Sequence, residues 1–263
     1  MIFRRKIKQK KDTEENRENN HEKEMGFLDH LEELRWRIIK SILGIVVGSI
    51  GVGIFISWIM NNVLFAPAQA TTPPLNIINL KPYGQFTLYM EVILIGGFII
   101  SIPNIFYQFW RFIEPALKPS ERKHIFSIVF FLSLCFMSGI VFSYYLMLPA
   151  ALGFFANFGS DSVIKDNIAA NEYLKFILSL LIASGLVFEL PMASFFLSKV
   201  GILKPSFMRK YRRHAIIIIL LVAGIVTPGP DITSQILLSI PLLILYEVSI
   251  LICKYSQKKE LTE

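Results

Sequence analysis

Residues that commonly carry catalysis or bind metals are scarce in this chain. Its 263 residues include only two cysteines. Cys135 and Cys253 lie inside or at the end of apolar runs, so neither a disulfide framework nor metal-ligand spacing is available. The motifs GxxxxGK(S/T), HExxH and GxSxG are also absent. The sequence therefore predicts a protein that is not an enzyme and has no metal, no cofactor and no ATP bound to this chain.

The sequence also predicts no cleavable signal peptide, because residues 1–37 are dense in both charges and contain no apolar core. A basic face suited to nucleic acid is not visible either, although the net charge is +7. Apolar sequence dominates instead: 53% of the residues are hydrophobic and the mean hydropathy is +0.52. Such a composition is far more apolar than that of a soluble domain and indicates a polytopic membrane protein.

Six apolar segments follow one another along the chain, at about 38–60, 86–109, 125–148, 176–197, 215–227 and 232–253. The first four reach or exceed the roughly 20 residues that cross about 30 Å of hydrocarbon as a helix. The fifth has about 13 residues, which make only about 20 Å of helix. We predict an all-α polytopic membrane protein with six transmembrane helices, the fifth and sixth of them short. Pro103, Pro191 and Pro241 predict kinks, and therefore a concave bundle.

Charged segments flank this membrane region. Residues 1–24 carry mixed charge with almost no apolar residues, which predicts a disordered tail. From Met25, apolar residues recur at three- and four-residue steps, which indicates an amphipathic helix at the membrane surface before the first span. The predicted domains are thus the cytoplasmic tail 1–24, the transmembrane domain 25–256 with its interfacial helix, and the C-terminal tail 257–263.

Lysine and arginine are distributed unequally between the two sides of the predicted bundle. The side that carries both termini holds 23 of these residues, whereas the other side holds three. Cytoplasmic segments of membrane proteins are enriched in lysine and arginine. We therefore predict a multi-pass protein of the cytoplasmic (inner) membrane with both termini in the cytoplasm.

One carboxylate lies within an otherwise apolar span. Glu189 occurs in the fourth segment, in the stretch LLIASGLVFELP. A charged group at mid-membrane costs roughly 2.5 to 3.5 kcal/mol on insertion scales, so it must face the bundle interior or a wetted cavity. A protonated glutamate bonded to a neighbouring helix is one interpretation, and a functional group is the other.

A second set of carboxylates is predicted at the cytoplasmic face. The stretch HLEELRWR places Glu33, Arg35 and Arg37 at the mouth of the first span, and EPALKPSERK places Glu121 in the second connection. Carboxylates there can accept planar guanidinium groups in bidentate fashion, which lysine cannot reproduce. Ordinary charge pairing along a surface helix, Glu32 with Arg35 or Glu33 with Arg37, is the alternative.

Polar residues also gather where the fifth and sixth spans meet, in TPGPDITSQ. Asp231 is well placed to cap the sixth helix. Alternatively, the stretch forms a polar rim that binds a partner's transmembrane helix through hydrogen bonds. That rim includes Thr227, Asp231 and Gln235.

Together these stretches resemble the TatC family, the six-span receptor subunit of the twin-arginine protein translocase. The resemblance rests on HLEELRWR, on PxxxYQFWRFxxPAL from Pro103 to Leu117 followed by SER, on FELP, and on RRHAIIIILLVAGIVTPGPDITSQ. These blocks occur in the same order over residues 28 to about 253. The chain departs from the family at one point, because TPGPD is one residue longer than the usual TPPD.

The resemblance implies a glove-shaped bundle that binds twin-arginine signal peptides at the cytoplasmic face. It also implies that the protein organises the export of folded proteins with the proton motive force. The residues that match the family's signal-peptide site are Glu33 and Glu121, with Arg35 beside Glu33, and the embedded glutamate of the fourth span matches Glu189.

Partners are implied as well. Single-span subunits of the TatA and TatB type would bind at the edge that carries Thr227, Asp231 and Gln235. Other copies of the chain and the lipid bilayer are further expected partners. Nucleic acid is not an expected partner. The competing interpretation is a proton-coupled secondary transporter of a small solute, with Glu189 as its titrating site. Such transporters carry internal repeats and several convergent polar residues, which the sequence does not display.

Overall fold

Helices make up most of the computed structural model, which describes residues 30–114, 125–157, 167–199, 201, 203–226 and 232–260. In chain order the elements are α1 (His30–Ile54), α2 (Ile56–Trp58), a first π-helical segment (Ile59–Leu64), α3 (Ala66–Gln69), β1 (Asn76–Ile78), α4 (Gly84–Ile113), α5 (Ile125–Phe142), a second π-helical segment (Ser143–Met147), α6 (Leu148–Asn157), β2 (Asn167–Ala169), α7 (Ala170–Val187), α8 (Leu190–Lys199), α9 (Pro205–Lys210), α10 (Arg212–Val226) and α11 (Ile232–Glu260). The predicted all-α architecture is confirmed. The predicted tail 1–24 lies outside the described residues.

Four helical stretches are long and apolar enough to cross a membrane, namely His30–Ile54, Gly84–Ile113, Ile125–Asn157 and Ala170–Ser198. They correspond to the first four predicted spans, and the chain is a polytopic membrane protein. Helix α10 has 15 residues, or about 22 Å of helix, and is short as predicted. Membrane crossing by the fifth and sixth helices stays a prediction.

Two predicted boundaries are wrong. The sixth helix is not short, because α11 has 29 residues and continues to Glu260. The polar residues after Cys253 include neither glycine nor proline and are mostly good helix formers, so the first part of the predicted tail is helical. The predicted interfacial helix and the first span are likewise one element, since α1 runs unbroken from His30 to Ile54. The stretch from His30 to Lys40 contains neither glycine nor proline, so it has no residue that would end a helix at the membrane surface.

The helices pack in a defined order. Helix α4 contacts both α1 and α5, α5 packs on α7, and α8 packs on α11, which in turn contacts α10. Helices α5 and α7 cross closely at Gly139 and Gly185. A Cβ atom added at Gly139 would lie 2.6 Å from the carbonyl oxygen of Ser184, so the two backbones are in direct contact there.

The fourth predicted span is broken in its middle. Helix α7 ends at Val187, α8 begins at Leu190, and Glu189 lies in the turn between them. Pro191 follows in the first turn of α8, where the missing N–H of a proline is tolerated. The predicted kink at Pro191 is therefore present as a break between the two helices, at Phe188 and Glu189.

The long connections close the end of the bundle opposite His30. Their strands β1 and β2 pair in parallel. Tyr144 and Tyr173 donate hydroxyl hydrogen bonds to the carbonyl oxygens of Val63 and Leu64, at 2.9 and 2.8 Å. These carbonyls end the first π-helical segment, where a helix leaves acceptors without internal partners. The other end, which contains His30, carries the predicted signal-peptide residues of α1 and is called the His30 end below.

Candidate functional site

Glu33, the first predicted contact residue, forms an ion pair with Arg37 one helical turn later. Nη2 and Nε of Arg37 both donate to Oε1 of Glu33, at 2.7 and 3.2 Å. The side chain of Arg37 is 19% exposed and that of Glu33 is 35% exposed. The pairing that the sequence leaves open as an alternative is thus present, and an internal guanidinium contacts the Glu33 carboxylate.

A ladder of polar side chains continues from this pair along the contact between α1 and α4. Nη1 of Arg37 donates to Oε1 of Gln108 at 3.4 Å, and Nε2 of Gln108 donates to Oδ1 of Asn104 at 3.3 Å. Asn104 then donates to the carbonyl oxygen of Lys40 at 3.2 Å. Neither amide was predicted from the sequence as part of the site. Their signal was two carboxamides four residues apart, and so on one face of an otherwise apolar helix.

A groove lies beside this ladder, between α1 and α4. It has a volume of about 600 Å³, and its walls include Gly44 and Gly48 of α1 together with Ser101 and Asn104 of α4. Ser101 donates to the carbonyl oxygen of Gly44 at 2.7 Å. Small residues let two membrane helices approach closely, and a serine hydroxyl then bonds across the contact. The ion pair of Glu33 is therefore fixed to two helices rather than to one.

The remaining residues of the predicted signal-peptide site are placed unequally. Arg35 is exposed on α1, whereas Glu121 lies outside the described residues. In sequence Glu121 follows the end of α4, and that end packs on the start of α1, since the rings of His30 and Phe112 stack with centroids 4.4 Å apart. The structure thus brings together Glu33 and the helix end that precedes Glu121.

Glu189 lines an apolar cavity of about 270 Å³. The walls come from three elements and include Phe106 and Trp110 of α4, Leu132 of α5 and Phe196 of α8. The rings of Trp110 and Phe196 meet edge to face, with centroids 4.6 Å apart. Sequence reasoning identified Glu189 but not the aromatic walls, because these residues come together only when α4 packs near α8.

The carboxyl group of Glu189 is buried without a full hydrogen bond. Both oxygens are inaccessible and lack a partner of good geometry among the described residues, although the backbone of Phe136 on α5 interacts with the group. A buried polar group left unsatisfied costs about 1 to 3 kcal/mol. The chain therefore bears a destabilising group in a membrane-embedded cavity, which favours a function for Glu189.

Replacing Glu189 by leucine is expected to stabilise the protein and to reduce transport. Removal of the unsatisfied carboxyl should raise the free energy of unfolding by about 1 to 3 kcal/mol, which thermal unfolding of the purified protein in detergent would measure. Glu189→Gln is the matched variant, because it keeps the shape and polarity but not the charge. An unfolding temperature that falls for the leucine variant would contradict the interpretation of a destabilising carboxyl.

The predicted partner edge is only partly within the described residues, which omit Thr227 and Asp231. Gln235 is described, and its Nε2 donates to the carbonyl oxygen of Leu220 at 2.9 Å. This bond ties α11 to α10. Beside it, α10 exposes large apolar side chains, which include Ile217 and Leu221. Binding of a partner helix by Gln235 stays a prediction.

These features define the class of protein: a polytopic α-helical membrane protein with a carboxylate–guanidinium pair at one end and a glutamate in an apolar cavity. The family model described as Sec-independent protein translocase protein (TatC) matches residues 29–241. The chain belongs to the TatC family, and it is a subunit of a Sec-independent protein translocase.

Individual relatives agree with this assignment. TatC of Carboxydothermus hydrogenoformans is 38% identical over 239 residues, which cover 91% of this chain and 97% of the relative. TatCy of Bacillus subtilis is 36% identical over 236 residues, covering 90% and 91%. A crystal structure of the twin arginine translocase receptor TatC is 35% identical, superposes with a TM-score of 0.75, and covers 87% of this chain and 99% of that one.

The family assignment confirms the resemblance noted in the sequence. It makes the chain a membrane component of a protein transport system that works with other Tat subunits. The competing interpretation, a transporter of small solutes, finds no support in these relatives, which are named protein translocase proteins.

Proposed function

We propose that this protein is the receptor of its translocase for twin-arginine signal peptides, bound at the His30 end through Glu33 and Glu121. The observation that carries the proposal is the contact of Glu33, whose Oε1 accepts two N–H groups from one guanidinium at 2.7 and 3.2 Å. A carboxylate in this environment has the reach and the exposure to hold an arginine side chain. Lysine, a point charge, offers no such fork.

Two adjacent arginines in the leader need acceptors from two segments. Glu121 is the proposed second acceptor, and the packing of α4 on the start of α1, at Phe112 and His30, supports it. Arg35 belongs to the same proposed surface. As a cation it cannot accept a guanidinium, so we assign it to the backbone carbonyls of the leader, to which it can donate.

The proposed orientation places the His30 end and both termini in the cytoplasm, in the cell's cytoplasmic membrane. The unequal distribution of lysine and arginine supports this orientation. A leader synthesised in the cytoplasm then meets Glu33 directly. Folded cargo attached to that leader is exported, and the proton motive force supplies the energy.

Glu189 is proposed to serve the step after recognition, when the leader inserts. Its cavity of about 270 Å³ has aromatic walls suited to apolar side chains of a leader. The carboxyl on that wall attracts water within the membrane, because a buried ionisable group needs polar partners. Lipid packing is then weakest at the place where the leader enters.

Other Tat subunits of the single-span TatA and TatB type are proposed to bind along α10 and α11. The exposed apolar side chains of α10 and the nearby Gln235 support this surface. Thr227 and Asp231 are proposed members of the same edge. Further copies of the chain complete the assembly in the lipid bilayer.

Photo-crosslinking tests the recognition site. A photoreactive side chain in place of Glu32, next to Glu33, is expected to crosslink to a twin-arginine leader and to lose most of that product when both leader arginines become lysines. The same probe at Ile236, which is exposed beside Gln235, should instead capture a single-span subunit.

A probe at Gln69 is the control, because Gln69 is exposed at the opposite end of the bundle. It should give no product with the leader. Crosslinks at Glu32 that are indifferent to the change from arginine to lysine would overturn the proposal.

A further inference from the structure

We infer that Arg37 is an internal competitor for the leader's arginine, and that it sets the affinity threshold of the Glu33 site. The inference rests on the proposed function, because it concerns the same carboxylate. Arg37 presents to Glu33 the same chemical group that the leader would present. Arg37 lies one turn from Glu33 on the same helix. It therefore competes at the high effective concentration of a tethered group.

The contact of Arg37 blocks the geometry that a leader arginine needs. A bidentate arginine–carboxylate contact uses two parallel N–H···O bonds, one to each oxygen. Oε1 of Glu33 already accepts Nη2 and Nε of Arg37, at 2.7 and 3.2 Å. A second guanidinium can bind both oxygens only when Arg37 releases Oε1.

A second acceptor is in place to receive the displaced side chain. Nη1 of Arg37 already lies 3.4 Å from Oε1 of Gln108, and Gln108 is held by Asn104. Because Gln108 is buried and sits on α4, its carboxamide stays in position when Glu33 changes partner. Arg37 thus bonds to Glu33 and Gln108 at the same time, and it keeps the bond to Gln108 when it releases Glu33.

Competition of this kind has a defined signature. When only a fraction of the molecules has a free site, the apparent dissociation constant of a ligand that needs that site increases by the inverse of that fraction. Arg37 therefore weakens an arginine leader, which needs both oxygens of Glu33, more than a lysine leader, whose ammonium group can bind Oε2 alone. Ion pairs between residues four apart on a helix are weak even when they are partly buried at the protein surface, so we expect a factor of roughly two to five.

The experiment is a fluorescence titration of purified full-length Arg37→Gln with two synthetic leader peptides, one with paired arginines and one with paired lysines. The dissociation constant of the arginine leader should fall roughly two- to fivefold relative to the unchanged protein. That of the lysine leader should fall less, so the preference for arginine should increase. In the Glu33→Gln background, Arg37→Gln should bring no gain.

Arg111→Gln is the matched control. It removes a guanidinium from an ion pair of the same length, 2.7 Å with Glu114, at the same end of the bundle. Its effect measures the loss of one positive charge alone, and no comparable gain in leader affinity is expected. Arg37→Lys keeps the charge without the fork, so its gain should fall between those of the unchanged protein and Arg37→Gln. That variant also serves if Arg37→Gln does not fold.

The outcomes separate this inference from the proposed function. Unchanged or weaker binding by both Arg37 variants would overturn the role of Arg37 as a competitor. If Glu33→Gln at the same time abolishes the preference for arginine, the receptor function stands and only the competitor is lost. A preference for arginine that survives neutralisation of both Glu33 and Glu121 overturns the proposed function itself.

Discussion

Neutralising both proposed acceptors, with Glu33→Gln and Glu121→Gln together, is expected to weaken binding of a twin-arginine leader about 100-fold. A hydrogen bond to a charged group contributes about 1.5 to 3 kcal/mol, and 1.4 kcal/mol corresponds to tenfold in affinity. Each carboxylate should therefore account for at least about tenfold. The same double variant should bind the arginine and lysine leaders alike, because the remaining amides offer no negative charge to a guanidinium.

Glu114→Gln is the matched control for this result. Glu114 carries the same charge at the same end of the bundle and also holds an arginine at 2.7 Å, yet it belongs to no proposed contact. Its leader affinity should stay within about twofold of the unchanged protein, the range of a surface charge. Equal losses in the control and in the double variant would mean that only the overall charge of this end attracts the leader.

Gly139→Ala is expected to destabilise the bundle severely. The added Cβ would lie 2.6 Å from the carbonyl oxygen of Ser184 and 2.9 Å from Cα of Gly185. Both are backbone atoms, so α5 and α7 must separate, and overpacking of this kind typically costs about 1 to 3 kcal/mol. Because Glu189 follows this crossing closely, export should fall with the amount of folded protein. Thermal unfolding in detergent and the quantity of folded protein recovered from membranes measure the effect.

Gly153→Ala provides the comparison. A Cβ at Gly153 of α6 meets nothing within 4 Å among the described residues. Alanine is a better helix former than glycine by about 1 kcal/mol, so this variant should be neutral or slightly stabilised. Equal unfolding temperatures for the two variants would show that the helices at Gly139 can adjust without loss.

Most of the membrane helices could be predicted because a span is a local property. A run of about 20 apolar residues must form a helix to satisfy its backbone in lipid, whatever the rest of the chain does. The length of the sixth helix was predicted wrongly because the prediction used only the length of the apolar run. The apolar segment ends at Cys253. Polar residues also form helices, and α11 therefore continues to Glu260.

Within the candidate site, the sequence predicted only those residues whose transfer into the membrane has a high free-energy cost. Glu189 is conspicuous because a carboxylate in an apolar segment has a large transfer cost. Asn104 and Gln108 carry no charge, and their transfer into the membrane costs less, so their spacing of four residues was a much weaker signal than a carboxylate. Their importance follows from the side chain of Arg37, which reaches them from another helix.

The sequence by itself determined the membrane class, the places of the first four spans, the family and the glutamates to examine. These properties depend on composition along one segment, or on blocks read in order. The tertiary structure alone decided that Arg37 of α1 bonds to Gln108 of α4, that Gly139 lies against the backbone of α7, and that aromatic rings from α4 and α8 line the cavity of Glu189. Each of these is a contact between segments distant in sequence, and only the packing of the helices fixes which side chains come within bonding distance.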